Sequence, residues 1–169
     1  MREFFITFFY VGKIPFAPGT FGTFAAIPFA LVILMYLSPS TLFLSALLLT
    51  VVSVKFINDY EKTSQTHDEK KIVIDEVAGV WLAISIAPGL AIPVEAYQTF
   101  DLTLFIPLIL SVIYFRIFDI WKPSFIGRID RQVQGGWGVM GDDILAGLAA
   151  GISSALTYQG IIKLALIPA

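Results

Sequence analysis

Two acidic doublets, Asp75-Glu76 and Asp142-Asp143, each stand at the entrance to an apolar run of about bilayer-crossing length. Carboxylates are costly beside hydrocarbon, so four of them at two membrane mouths suggest that a cation, a proton or a phosphate is handled there. Ordinary interfacial charges flanking helices are the plainer alternative. Neighbours on a helix point about 100° apart, so Asp75 and Glu76 can supply two ligand positions, or one ligand and one base. Asp68, next to the single histidine His67, lies close enough in sequence to join them. Arg116 and Asp119 are i,i+3 neighbours that can simply neutralise each other. Arg116 and Lys122 also suit a phosphate, Arg as a bidentate fork and Lys as a point charge; snorkelling to lipid headgroups would explain them as well. In Pro18-Gly19-Thr20 the Pro-Gly pair makes a turn, and Thr20 is the expected N-cap of the first apolar helix, whose free N–H groups would attract an anion. The glycine-rich stretch 134–141 reads as a flexible approach that leaves Asp142 and Asp143 in the first turn of the last helix. The helix dipole there would account for one acid better than for two.

The elements that must hold these residues are membrane helices. Apolar residues make up 57% of the 169 and charged ones 14%, with a mean hydropathy of +0.82, against roughly 45–50% and about 25% in soluble domains. No formal charge occurs from 14 to 54. The Leu37-Ser38-Pro39-Ser40 break divides that stretch into segments 21–37 and 41–57, and further apolar segments cover 77–94, 102–118 and 144–162. The expected fold is therefore all-α: an integral membrane bundle of four to five crossings, forming one domain over 1–169. Phe4 to Val11 is an interfacial lead-in with no secretory cleavage pattern. Threading five crossings puts ten of the 11 Lys and Arg on one side with both doublets, and the positive-inside rule makes that side cytoplasmic. A net charge of -2 offers no footprint for nucleic acid.

Elimination narrows the chemistry. With no cysteine, thiolate nucleophiles, disulfides and Cys-based metal sites are all absent. A lone histidine excludes two-histidine lipid phosphatases, and the chain carries no Asp-x-Asp tripeptide. What remains is hard-metal chemistry, in which carboxylates hold Mg²⁺ while a substrate phosphate completes the shell. A small carrier or channel using the carboxylates as a cation site is the alternative from another class.

Five ordered strings together resemble the phosphatidylglycerophosphatase A family. They are Pro18-Gly19-Thr20-x-Gly22-Thr23, His67-Asp68, Ile72-Val73-x-Asp75-Glu76-x-x-Gly79, Phe115-Arg116-x-x-Asp119-x-Trp121-Lys122-Pro123, and Gly135-Gly136-x-Gly138-x-Met140-x-Asp142-Asp143-x-x-Ala146-Gly147. The resemblance implies a multi-pass enzyme of the bacterial cytoplasmic (inner) membrane, its active site facing the cytoplasm. It would use Mg²⁺ to hydrolyse phosphatidylglycerophosphate to phosphatidylglycerol and phosphate, a step toward cardiolipin. On that expectation Asp75, Glu76, Asp142 and Asp143 hold the metal, with Asp68 as a further ligand or base. Thr20, Arg116 and Lys122 hold the terminal phosphate, and one carboxylate positions the attacking water. Membrane lipids are the expected surroundings, and homo-oligomerisation stays open. The chain departs from the family pattern at Ser124-Phe125, where a second proline is expected, and at Gln134, where a histidine often stands.

Overall fold

The computed structural model describes residues 2–66, 69–88 and 102–164. Among them are seven α-helices, one short 3-10 turn at Val11–Lys13 and no strand. The helices are α1 (Arg2–Ile6), α2 (Pro18–Tyr36), α3 (Pro39–Ser64), α4 (Ile74–Ile86), α5 (Leu102–Trp121), α6 (Ser124–Gln132) and α7 (Gly136–Lys163).

Three of these, α2, α3 and α7, are long and apolar enough to cross a membrane. The protein buries only 28%, 33% and 50% of their most apolar windows. The rest turns outward, with Phe24, Val32, Leu44, Leu48, Val51, Ile152 and Leu156 all exposed. Such a surface is far larger than the apolar patches that soluble monomers tolerate, and hydrocarbon is the solvent that suits it.

The segment expected over 77–94 behaves differently. α4 stops after 13 residues, about 20 Å at 1.5 Å per residue, where a bilayer core needs about 30 Å. Pro88 is the reason, because its ring pushes the preceding residue out of the helical region, and Ala87 is extended at φ -65° and ψ 138°. The remainder of that segment, from residue 89, lies outside the described residues. The break expected at 37–40 does occur, with Ser38 capping α3 by accepting the Thr41 N–H at 3.2 Å.

α4 lies at the centre, packed most extensively against α7 and further against α2, α3 and α5. Its side chains are buried on nearly every face, including Val77, Ala78, Val80, Leu82, Ala83 and Ile84. Glycine permits the closest approach. A Cβ on Gly79 would stand 2.5 Å from the Phe115 ring and 2.7 Å from the Asp143 carbonyl, and one on Gly147 would strike the Gly79 carbonyl itself. Backbones that meet this closely use the small-residue packing of membrane helices, and the contact sets the start of α4 beside the Asp143 turn of α7. α3 adds a pin at the other side, where Asn58 Oδ1 accepts the Gly136 N–H at 2.7 Å and satisfies the first donor of α7.

Candidate metal and phosphate site

Four helix ends converge on one cavity of about 450 Å³. Gly19 and Thr20 come from the first turn of α2, Asp75 and Glu76 from the first turn of α4. Arg116 and Asp119 come from the last turns of α5, and Asp142 and Asp143 from α7. Lys122 sits one residue beyond α5, where a left-handed backbone at φ 44° turns the chain back toward the site.

Two of the sequence-based placements shift. Thr20 is not the N-cap of α2; that position belongs to Ala17 at φ 46°, with Pro18 as the first helical residue. Proline is favoured there because its missing N–H is one the helix cannot use, so Thr20 moves into the first turn with its hydroxyl free for Arg116. The last helix begins at Gly136 rather than just before Asp142. Of the glycines expected to form a flexible approach, Gly136, Gly138 and Gly141 are helical and Gly135 precedes the helix at φ 71°; Gly136 packs directly on the Val54 backbone. Asp142 and Asp143 thus lie in the second turn, beyond the first-turn N–H groups, and capping explains neither.

The acids divide into two sets. Arg116 Nη1 pairs with Asp119 Oδ2 at 2.5 Å, and Lys122 Nζ with Asp142 Oδ2 at 2.6 Å. Asp75, Glu76 and Asp143 instead turn toward one another, each offering one oxygen, with these three atoms all within 4.8 Å. Asp143 is only 3% exposed and Asp75 9%. Glu76 Oε2 and Asp143 Oδ2 are buried without a hydrogen-bond partner. Like charges about 4 Å apart repel by roughly 4 kcal/mol even at an effective dielectric near 20. Three gathered carboxylates are relieved either by taking up a proton or by a cation among them, and an all-oxygen donor set is of the kind a hard divalent ion takes.

Arg116 is held as a fork rather than left to snorkel. Nη2 donates to Thr20 Oγ1 at 3.2 Å and Nη1 to Thr23 Oγ1 at 3.4 Å, so the guanidinium spans from α5 to α2 across the cavity. Thr23 also donates to the Gly19 carbonyl at 3.0 Å, which fixes its own rotamer. Gly19 leaves room for the Glu76 carboxylate, which would collide with any Cβ at that position.

Of the residues marked out in the sequence, Thr20, Asp75, Glu76, Arg116, Lys122, Asp142 and Asp143 all line this cavity. Asp68 and His67 lie outside the described residues. Gln134 is elsewhere, on a surface depression with Glu61 and Thr66. Three cavity or cavity-supporting residues carry no site role in the sequence reading: Asp119 and Thr23, which it names only as a neutralising partner or within a family string, and Lys70. Asp119 was legible from its i,i+3 spacing to Arg116, and Thr23 from its place one turn after Thr20. Lys70 is a loop lysine with no local pattern to separate it from its neighbours.

The family profile described as phosphatidylglycerophosphatase A matches residues 4–158. A phosphatidylglycerophosphatase A of Escherichia coli is 36% identical over 148 residues, covering 87% of this chain and 76% of the relative. One of Haemophilus influenzae is 29% identical over 139 residues, covering 82% and 77%. A Bacteroides thetaiotaomicron protein provisionally named a phosphatidylinositol-3-phosphatase is 33% identical over 141 residues, covering 81% and 80%. No solved structure matches. The profile spans all the helix ends that build the cavity, from Thr20 to Asp143, and on that breadth of agreement the chain belongs to the phosphatidylglycerophosphatase A family.

Proposed function

We propose that this chain is a Mg²⁺-dependent phosphatase that removes the terminal phosphate of phosphatidylglycerophosphate, yielding phosphatidylglycerol and phosphate on the way to cardiolipin. Its place is the bacterial cytoplasmic membrane, with the cavity opening to the cytoplasm. The observation that carries the reading is the three-carboxylate cluster of Asp75, Glu76 and Asp143, with Glu76 Oε2 and Asp143 Oδ2 buried without a hydrogen-bond partner, beside a guanidinium fixed by two threonines.

The residues fit the metal. Asp75, Glu76 and Asp143 would hold it, and Asp142 stands next to them on α7. When bound, Mg²⁺ supplies charge neutralisation at the phosphoryl oxygens and lowers the pKa of a water. The chain's own groups do the rest. Arg116, already oriented by Thr20 and Thr23, offers its fork to the phosphate oxygens. The Lys122 ammonium, anchored on Asp142, adds a point charge from the opposite wall. A carboxylate of the cluster orients the attacking water and takes its proton, and Asp68 is a further candidate for that role. Because the nucleophile is water, no covalent intermediate on a side chain is needed.

Phosphate release from phosphatidylglycerophosphate in detergent tests the reading. Chelator should abolish it and added Mg²⁺ restore it; undiminished release after chelation sinks the metal-centred mechanism. The Bacteroides relative's name favours one second substrate, a phosphatidylinositol phosphate. Equal or faster turnover of phosphatidylinositol 3-phosphate in the same assay would reassign the substrate and leave the mechanism intact.

A further inference from the structure

The Arg116 bridge marks a gap between two helices that otherwise scarcely touch. α2 and α5 both pack on α4, yet neither packs extensively on the other among the described residues. What joins them at the cavity is polar: the Arg116 hydrogen bonds to Thr20 and Thr23. Below that bridge each helix presents an apolar stripe. On α5, Ile113 and Ile109 lie one and two turns before Arg116, next to it around the helix and both about half exposed. On α2, Phe24 lies one turn after Thr20 and is 58% exposed. The helices run in opposite senses from the cavity, so Phe24 and Ile113 sit at similar depth. Ile120 carries the α5 stripe into the cavity wall itself.

We infer that the groove between α2 and α5 is the lateral portal through which a phospholipid substrate enters, its acyl chains lying against Phe24 and Ile113 while its phosphate reaches the carboxylate cluster. The inference rests on the phosphatase reading and says which face of the bundle the lipid uses. Position argues for this occupant: the exposed Phe24 and Ile113 lie within about one turn of Thr20 and Arg116, which line the cavity where Arg116 and Lys122 stand beside the carboxylate cluster. A molecule apolar at one end and anionic at the other matches both parts. A second protein helix in the groove would match only the first.

The chain has no cysteine, so single thiols can be placed at will. Phe24→Cys and Ile113→Cys are labelled with a bulky apolar maleimide, and Leu48→Cys, on the outward face of α3, serves as the comparison. Each protein is assayed with Mg²⁺ on long-chain phosphatidylglycerophosphate and on its fully deacylated, water-soluble headgroup. Labelling at Phe24→Cys or Ile113→Cys should slow the long-chain lipid by about tenfold or more, since small misplacements of a reacting group cost that much. It should leave the deacylated compound unchanged, and Leu48→Cys labelling should alter neither. Unchanged long-chain turnover at both groove positions overturns the portal, as does an equal loss on both substrates. If the unlabelled protein releases phosphate from neither compound, the phosphatidylglycerophosphate reading falls and takes the portal with it.

Discussion

Asp142 and Asp143 are adjacent in the chain, but about 100° of helical rotation sends them to different partners. Asp142 receives the Lys122 ammonium, whereas Asp143 joins Asp75 and Glu76. Their substitutions should therefore differ in kind. Asp143→Asn or Glu76→Gln removes a donor from the cluster and should lower turnover roughly 10²-fold or more, as loss of a group acting directly on transition-state charge does. Higher Mg²⁺ should recover part of it. Asp142→Asn acts through Lys122 and should cost about 10–100-fold, the range for groups that orient ligands, with little change in the Mg²⁺ requirement. Steady-state kinetics across a Mg²⁺ titration separates the two, and identical metal dependence for both variants would collapse the distinction. Arg116→Lys keeps the charge and loses the fork held by Thr20 and Thr23, so KM should rise more than kcat falls. The acids themselves were legible in the sequence, because doublets at membrane mouths are rare. Their division was not, since it depends on Lys122 turning back through a left-handed backbone that no local pattern announces.

At the scale of elements, the register between α4 and α7 decides whether the acids meet. Gly79→Ala would drive a methyl group into Phe115 and the Asp143 carbonyl. Overpacking of this kind typically costs about 1–3 kcal/mol, and here it also moves a cluster residue. The expected result is a lower midpoint on thermal unfolding in detergent together with weaker Mg²⁺ activation; an unshifted midpoint would show that the helices separate easily. Asn58→Ala leaves the Gly136 N–H without its acceptor and should cost about 1 kcal/mol, as cap losses do. The loop ahead of α4 has its own pH window. A hydrogen bond from Lys71, then one from Thr66, holds the Glu69 carboxyl below its ordinary 4.5. That contribution is present above pH 4.5 and fades as pH falls through the lowered value, so acid weakens the contacts of this loop. Helix identities were readable from hydropathy and from the Ser38-Pro39 break, but two boundaries were not. Pro88 ends α4 early, and three of the glycines that look like a linker, Gly136, Gly138 and Gly141, are helical, the first two packed on the backbone of Val54 and Val133.

Across the whole molecule, contacts tie the charged segments to one end of the bundle. The Val73 N–H donates to the Ile6 carbonyl at 3.0 Å, and Lys71 bridges Glu3 at 3.5 Å and Glu69 at 2.8 Å. Tyr60 near the end of α3 donates to the same Glu69 at 3.0 Å. The N-terminal segment, the end of α3 and the start of α4 therefore share an end, and the cavity adds the start of α2, the end of α5 and the start of α7. Leu37 and Ser38, between α2 and α3, lie at the opposite end. Arg2, Lys13, Lys62, Lys70, Lys71, Arg116, Lys122, Arg128 and Arg131 all belong to the cavity end, and Lys163 closes α7 far from it. Such an imbalance orients membrane proteins with the basic end in the cytoplasm. A thiol at Thr66→Cys should then resist a membrane-impermeant maleimide in intact cells and react in inside-out vesicles. Ser40→Cys should show the reverse. If Thr66→Cys is labelled from outside intact cells, the cavity faces away from the cytoplasm, and its lipid must come from the outer leaflet instead.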